Sequence, residues 1–197
     1  YAALGLMVTM FHVATGIMQV PAGMMVDRFG ARIMLVIGML VSALSISAIG
    51  VVDSYVMMVC LTALAGVGNS VFHPADYAIL AASVRTKHLG KAFGFHLLAG
   101  NLGFAVAPVL LASLAALWDW RSAVIAVGLA GVAVGVAMIV LGRDLRAASA
   151  PSADEQGAGG NARPHRLTSP ALWVMLAFFV LLALATSGIQ TFAPTVL

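Results

Sequence analysis

The chain has 197 residues, of which 62% are hydrophobic and 9% are charged, and its mean hydropathy is +1.05. A soluble globular domain is nearer half apolar and a quarter charged, so this composition excludes an ordinary soluble core and indicates a protein whose solvent is largely lipid. The net charge is +3, but the few basic residues lie in short loops rather than on one face, which argues against a nucleic-acid-binding protein.

Apolar runs follow one another along the chain, each about 20 residues or longer and able to cross a bilayer as a helix. They cover 2–25, 33–52, 55–83, 91–117, 121–141 and 170–197. Because lipid offers the backbone no hydrogen-bond partners, each run is predicted to be helical. We expect an all-α membrane protein, a polytopic bundle of about six transmembrane helices. Since the chain begins with Tyr1 and both of its ends lie close to apolar segments, we expect it to be an internal fragment of a longer protein.

The loops between these runs alternate in charge. Nine of the ten Lys and Arg residues lie in loops 26–32, 84–91 and 142–169, and the tenth, Arg121, lies in a loop of the other set. The positive-inside rule makes the first set cytoplasmic, and Trp118 and Trp120 suit the opposite interface. We therefore predict a multi-pass protein of the inner (plasma) membrane whose first helix here runs from outside to inside.

The first predicted helix carries small and polar residues on one face, at steps of four and three: Gly5, Thr9, His12, Gly16, Gln19 and Gly23. The glycines are interpreted as helix-packing positions. For His12 and Gln19 two interpretations stay open, a polar contact between helices and the lining of a substrate cavity.

The predicted loop after this helix fits the pattern GxxxDRxGxR, formed by Gly23, Asp27, Arg28, Gly30 and Arg32. Gly23 would let another helix approach closely, and Gly30 suits a tight turn. We expect Asp27 to pair with the two arginines at the membrane edge.

This motif resembles the signature loop of the major facilitator superfamily, which follows transmembrane helix 2 of a 12-helix fold. The resemblance implies that the six helices correspond to helices 2 to 7. Residues 1–145 would then belong to the amino-terminal bundle, 146–168 to the flexible central cytoplasmic loop, and 169–197 to the first helix of the carboxy-terminal bundle. It also implies that Asp27, Arg28 and Arg32 belong to a charge cluster that helps to control opening and closing.

The third run contains the segment NSVFHPADYA, residues 69–78. In a continuous helix Asn69, His73, Asp76 and Tyr77 share one face, and Pro74 should bend the helix because it cannot donate to the carbonyl of Ser70. Ionisable groups inside a span are costly and mark substrate or proton paths by default. We expect Asp76 to take up and release protons, and His73 to be its neighbour. The alternative is that both only join helix 4 to its neighbours by hydrogen bonds.

Two short elements of the sequence resemble particular branches of the same superfamily. Phe72-His73-Pro74 resembles the fosmidomycin-resistance branch, and residues 100–108 resemble the Gly- and Pro-rich fifth helix of the antiporter branches. Two positions depart from the family pattern. Ala107 stands where a glycine is common, and Thr62 stands where many members carry an arginine, so no coupling role can be taken from that arginine.

The fifth predicted helix repeats the polar stripe with His96, Gly100, Gly103 and Ala107, and Asn101 is adjacent. His96 is a candidate for substrate binding or proton relay, with a hydrogen-bonded interfacial histidine as the alternative. In the last helix, weaker candidates for cavity lining are Thr186, Gln190 and Pro194.

No catalytic, Walker or HExxH motif occurs, so we expect no enzyme activity, cofactor or metal site. The leading hypothesis is a secondary transporter that moves a small solute by alternating access, coupled to protons, and exports a drug-like or small organic compound. The alternatives are uptake of a metabolite such as an organic anion, and a non-transporting membrane sensor. We expect the full-length protein to be a monomer, and this segment alone not to transport.

Overall fold

The structure, a computed structural model, describes residues 2–141, and these residues form helices joined by short turns. The helices are α1 (Ala2–Phe29), α2 (Ala31–Ile49), α3 (Tyr55–Asn69), α4 (Phe72–Ser83), α5 (Leu89–Leu117) and α6 (Trp120–Leu141), with a 3-10 turn at Thr86–His88. α3 and α4 together make one span, so this part of the chain holds five helical segments that are long and apolar enough to cross a membrane. The sixth predicted span, the linker 146–168 and Thr186, Gln190 and Pro194 lie outside the described residues.

The first connection is shorter than the sequence predicted. α1 continues to Phe29 and α2 starts at Ala31, so most of the predicted loop 26–32 is helical and Gly30 alone separates the two helices. Gly30 has a φ of 91° and a ψ of 140°, a backbone conformation that residues with a Cβ rarely adopt. The tight turn expected at Gly30 is therefore present, and its local cause is the missing side chain.

The third span is interrupted where the sequence predicted a bend. α3 ends at Asn69 and α4 begins at Phe72, with Ser70 and Val71 between them in near-helical conformations. Pro74 thereby falls in the first turn of α4, where an N–H has no partner within the helix and a proline is tolerated. The Ser70 hydroxyl donates to the carbonyl of Val67 at 2.6 Å, which satisfies a carbonyl at the end of α3.

Close packing is concentrated around α2, which lies between α3 and α6. Glycines make this approach achievable: an added Cβ at Gly68 would lie 2.6 Å from the carbonyl oxygen of Gly38, and one at Gly128 would lie 2.8 Å from that of Ala43. A buried apolar cluster lies where the ends of α1 and α4 meet α2: Ala22, Val26, Ala31, Met34, Leu35, Val71 and Ala75. Small side chains and backbone contacts hold the bundle, as expected where lipid removes the hydrophobic drive between helices.

α5 contrasts with this packed centre. It has no buried residue, and large apolar side chains such as Phe95 and Phe104 are mostly exposed. Exposure of apolar side chains costs little in a bilayer, since lipid tails are as apolar as the side chains. α5 nevertheless touches α4 and α6, and its contact with α4 forms the candidate site.

Candidate functional site

The candidate site is a small group of polar and aromatic side chains between α4 and α5. Nε2 of His96 lies 3.5 Å from a carboxylate oxygen of Asp76, with the two side chains 38% and 23% exposed. Neither side chain is fully buried by the described part of the chain. An acid and an imidazole at this distance can share or exchange a proton and can hold two helices together when both are charged.

Chain geometry explains why these two residues meet. Asp76 lies seven residues before Ser83, the end of α4, and His96 lies seven residues after Leu89, the start of α5. Two antiparallel helices joined by a short connection place such positions at the same height, about 10 Å from each helix end at 1.5 Å per residue. The pair is therefore inside the span rather than in the loop.

Tyr77 connects the pair to two further rings. Its ring centroid lies 5.9 Å from that of His73, 6.4 Å from that of His96 and 5.3 Å from that of Phe93. The contacts with His96 and Phe93 are edge-to-face, a favourable arrangement for aromatic pairs. Tyr77 thus bridges both histidines, and Phe93 supports it from α5.

The partner of Asp76 differs from the expected one. We expected His73 to be the neighbour of Asp76. The side chain that forms the 3.5 Å ion pair with Asp76 is His96 of the next helix, and the ring of His73 packs on Tyr77. His73 is one turn before Tyr77 and points along the same exposed face, so its ring meets Tyr77. Sequence reasoning singled out both His96 and Asp76 but did not pair them. The two residues lie equally far along the chain from the α4–α5 connection, and this spacing could have predicted their contact.

The other predicted cavity residues do not join this group. Asn69 is the last residue of α3, so the interruption at Ser70 and Val71 separates it from α4. Nδ1 of His12 lies 2.9 Å from the carbonyl oxygen of Val8, and Asn101 donates to the carbonyl of Leu97 at 2.9 Å. Both side chains are exposed and bonded to their own helices, and Gln19 is half-buried on α1. Their role in a substrate cavity stays a prediction.

The signature-loop residues are arranged differently from the expectation. Within residues 2–141 the ion pairs are Asp76 with His96 and Asp53 with Arg121, so Asp27 pairs with neither arginine there. The Arg28 guanidinium lies 5.5 Å from the centroid of the Phe29 ring. Gly23 has no atom of residues 2–141 within 4 Å of an added Cβ, so no helix of this part of the chain makes the close approach expected there, and that approach stays a prediction. α1 continues through Asp27 to Phe29, so Asp27 and Arg28 lie on a helix rather than in the predicted loop.

Arg32 has a specific partner that sequence reasoning missed. Its Nη2 donates to the carbonyl of Ile139 at 2.9 Å and to that of Met138 at 3.4 Å. Both carbonyls belong to α6 and lie within three residues of Leu141, the last residue of that helix that the structure describes. Arg32 therefore joins the start of α2 to the end of α6.

Arg121 makes the reciprocal contact at the other end of the same two helices. It donates to the carbonyls of Gly50 and Val52 at 3.2 and 2.8 Å, and to the carboxylate of Asp53 at 2.7 Å. Its guanidinium also lies 4.6 Å from the centroid of the Trp120 ring. The only signal in the sequence was that Arg121 is the one basic residue outside the predicted cytoplasmic loops.

The described residues do not form a metal centre: among residues 2–141, no three His, Cys, Asp or Glu side chains are grouped as metal ligands. Thr62, which stands where many relatives of the resembled family carry an arginine, donates to the carbonyl of Met58 in its own helix at 2.7 Å. Within the described spans, the contact between an acid and an imidazole is the one between Asp76 and His96.

Comparison with known proteins relates the chain to membrane transporters and a sensor. It is 29% identical to a "Probable L-galactonate transporter" of Escherichia coli over 141 residues, which are 72% of this chain and 31% of that protein. It is 33% identical to "Multidrug resistance protein 1" of Bacillus subtilis over 54% of this chain and 27% of that protein. It is 24% identical to "Membrane sensor protein UhpC" of Salmonella typhimurium over 95% of this chain and 46% of that protein.

The chain therefore spans between about a quarter and a half of the length of these relatives. The family model of the Major Facilitator Superfamily matches residues 1–197, which is the whole chain. Together with the all-helical fold and its membrane spans, this match shows that the chain is part of a multi-pass membrane protein and belongs to the major facilitator superfamily.

Proposed function

We propose that the full-length protein is a proton-coupled secondary transporter and that Asp76 and His96 form its coupling site. The observation that carries the proposal is the 3.5 Å contact between these two side chains inside the membrane span. Charged groups are expensive in a bilayer and are kept there mainly where they bind ions, protons or substrate. An acid–imidazole pair that remains partly exposed fits that use.

A proton changes the charge of this pair in a way that acts on two helices. With His96 protonated and Asp76 ionised, the pair is neutral overall and the attraction holds α4 against α5. One further proton leaves a single positive charge and removes the attraction, whereas loss of one proton leaves a single negative charge. Alternating access by two bundles about a central site is the established form of transport for such folds, and a change at the α4–α5 contact would bias it.

For the substrate, our first candidate is export of a drug-like or small organic compound in exchange for protons. Its support is the resemblance of Phe72-His73-Pro74 to the fosmidomycin-resistance branch, together with relatives named as multidrug resistance proteins. The match to that branch is three residues long, and it suggests a clade rather than a substrate.

A second candidate is uptake of an organic anion. The specific support is the relative named as a galactonate transporter, which aligns with 72% of the chain. His73 and His96 are both near Tyr77 and would attract a carboxylate when protonated. A third, non-transporting candidate is a membrane sensor, supported by the relative that is named as a sensor.

The test uses the full-length protein in liposomes that contain a pH dye. Organic anions and drug-like compounds are added in turn, and wild type is compared with Asp76→Asn, His96→Gln and the control His88→Gln, an exposed histidine before α5. We expect solute-driven proton flux in wild type and in the control, and a fall of at least about tenfold in the other two variants.

The results separate the three candidates. Proton flux that follows the drug-like compounds or the organic anions identifies the substrate class. Solute flux that persists with its proton coupling intact in Asp76→Asn would contradict the assignment of the coupling site. Absence of both proton flux and labelled-solute exchange with every compound would favour the sensor.

A further inference from the structure

A groove with a volume of about 210 Å³ lies between the start of α2 and the end of α6. Its lining residues are Arg32, Ile33, Val36, Ile37 and Ile139. Apart from the guanidinium the lining is aliphatic. Ile33, Ile37 and Ile139 are about half exposed, so the groove opens to the outside of the bundle. It is separate from the Asp76–His96 site, which lies between α4 and α5.

The guanidinium of Arg32 lies at this groove, and its contacts with residues 2–141 use only one of its three nitrogens. The Nη2 group donates hydrogen bonds to the carbonyls of Met138 and Ile139. A guanidinium has five N–H donors, and those on Nε and Nη1 have no acceptor among residues 2–141. Because the two carbonyl contacts fix the planar group, its remaining edge is oriented in advance for a second, anionic partner.

We propose that this groove binds one anionic phospholipid of the cytoplasmic leaflet, with the phosphate on Arg32 and an acyl chain along Ile33, Val36, Ile37 and Ile139. Both helices that form the groove are long and apolar enough to cross a membrane, so an opening between them is accessible to a lipid. A phospholipid combines the two chemistries of the lining, an aliphatic chain and a phosphate that a guanidinium binds through two N–H donors. Basic grooves between helices on the cytoplasmic side are known to suit anionic headgroups.

Charge complementarity favours an anionic headgroup over a zwitterionic one. The lining that residues 2–141 provide includes no acidic side chain, so it offers no partner to the positive amine of a zwitterionic lipid. Arg32 also lies in the part of the sequence that the positive-inside rule places at the cytoplasmic surface, where anionic lipids attract basic side chains.

The experiment measures lipid retention by the delipidated full-length protein in native mass spectrometry. The probes are phosphatidylglycerol and phosphatidylcholine with identical acyl chains. We expect wild type to retain phosphatidylglycerol about fivefold better than phosphatidylcholine, and Arg32→Gln to lose this preference. Arg85→Gln, which removes an exposed charge from the next predicted cytoplasmic loop, should keep it.

A second variant tests the groove without touching the charge. Ile37→Trp fills the groove from its lipid-facing side and should abolish the selective retention of phosphatidylglycerol while Arg32 stays in place. Arg32 also donates hydrogen bonds to α6, so Arg32→Gln can destabilise the fold. In that case the lipid retention of Ile37→Trp tests whether the groove binds the lipid. Equal retention of the two lipids by wild type, or an unchanged preference in Ile37→Trp, would overturn the proposal.

Discussion

Single side chains in this protein gain their importance from the backbone groups that they reach. Asp119 precedes α6, and one of its carboxylate oxygens accepts the N–H groups of Arg121 and Ser122 at 2.8 and 3.0 Å. The other oxygen accepts the hydroxyl of Ser122 at 2.6 Å. A side chain that caps the first turn in this way satisfies N–H groups that have no partner in the helix.

The cap should make the stability of α6 depend on pH. The hydrogen bond from the Ser122 hydroxyl, followed by those from the backbone N–H groups of Ser122 and Arg121, lowers the pKa of Asp119 below its usual 3.8. Because ionisation is favoured in the folded state, the contribution to stability is complete above pH 3.8 and is lost as the pH falls through the lowered pKa.

We predict that Asp119→Ala lowers the unfolding temperature of the purified full-length protein at neutral pH. The difference from wild type should shrink as the pH is lowered below about 4. Asp119→Asn keeps an acceptor for the same N–H groups and serves as the control, with a smaller loss and little pH dependence. An Asp119→Ala deficit that is constant from neutral to acidic pH would show that the carboxylate charge does not matter.

At the scale of helices, α2 and α6 form the most tightly joined pair. Arg32 reaches from the start of α2 to the end of α6, and Arg121 reaches from the start of α6 to the end of α2. Between these two contacts Gly128 lets α6 approach Ala43 and Ser47 of α2 without a side chain in the way. The two arginines therefore join α2 and α6 at both ends of their interface, and the close packing in its middle requires a glycine at position 128.

We predict that Gly128→Leu separates α2 from α6. An added Cβ would lie 2.6 Å from the backbone nitrogen of Ser47 and 2.8 Å from the carbonyl oxygen of Ala43, and backbone cannot yield as a flexible side chain does. Overpacking of this kind costs about 1–3 kcal/mol, which is measurable as a lower unfolding temperature. The matched control is Ala133→Leu, an exposed position on the same helix. Equal stability of the two variants would contradict the close approach.

For the whole molecule, the main expectation concerns its orientation in the membrane. Thr86 lies in a connection that the positive-inside rule makes cytoplasmic, whereas Ser54 lies in one that it places outside, and both residues are exposed. The helix order supports opposite sides, because one complete span, Tyr55–Ser83, separates the two positions.

We predict that a cysteine at position 54 reacts with an impermeant maleimide added to intact cells, while a cysteine at position 86 reacts only in inverted vesicles. The background is the full-length protein with Cys60→Ser and its other cysteines replaced. Labelling of both positions from the same side would refute the span between them, and the reversed pattern would refute the orientation.

The sequence by itself determined the membrane class, the positions of the spans and the family. Hydropathy fixes these because lipid demands long apolar helices whatever their neighbours are. The predicted ends of the second, third and fourth spans and the predicted start of the fifth differ from the observed ones by three residues or fewer, and the turn at Gly30 followed from the lack of a Cβ. The first helix was the largest error, since α1 continues four residues beyond its predicted end at residue 25.

Only the tertiary structure decided which polar side chains meet. His73 was named as the neighbour of Asp76, and the ion-pair partner of Asp76 is His96. Arg32 was expected to pair with Asp27, and it donates to the carbonyls of Met138 and Ile139. Such contacts depend on the rotation and relative height of two helices. Those follow from close packing at positions such as Gly38 and Gly128, which hydropathy and local spacing do not specify.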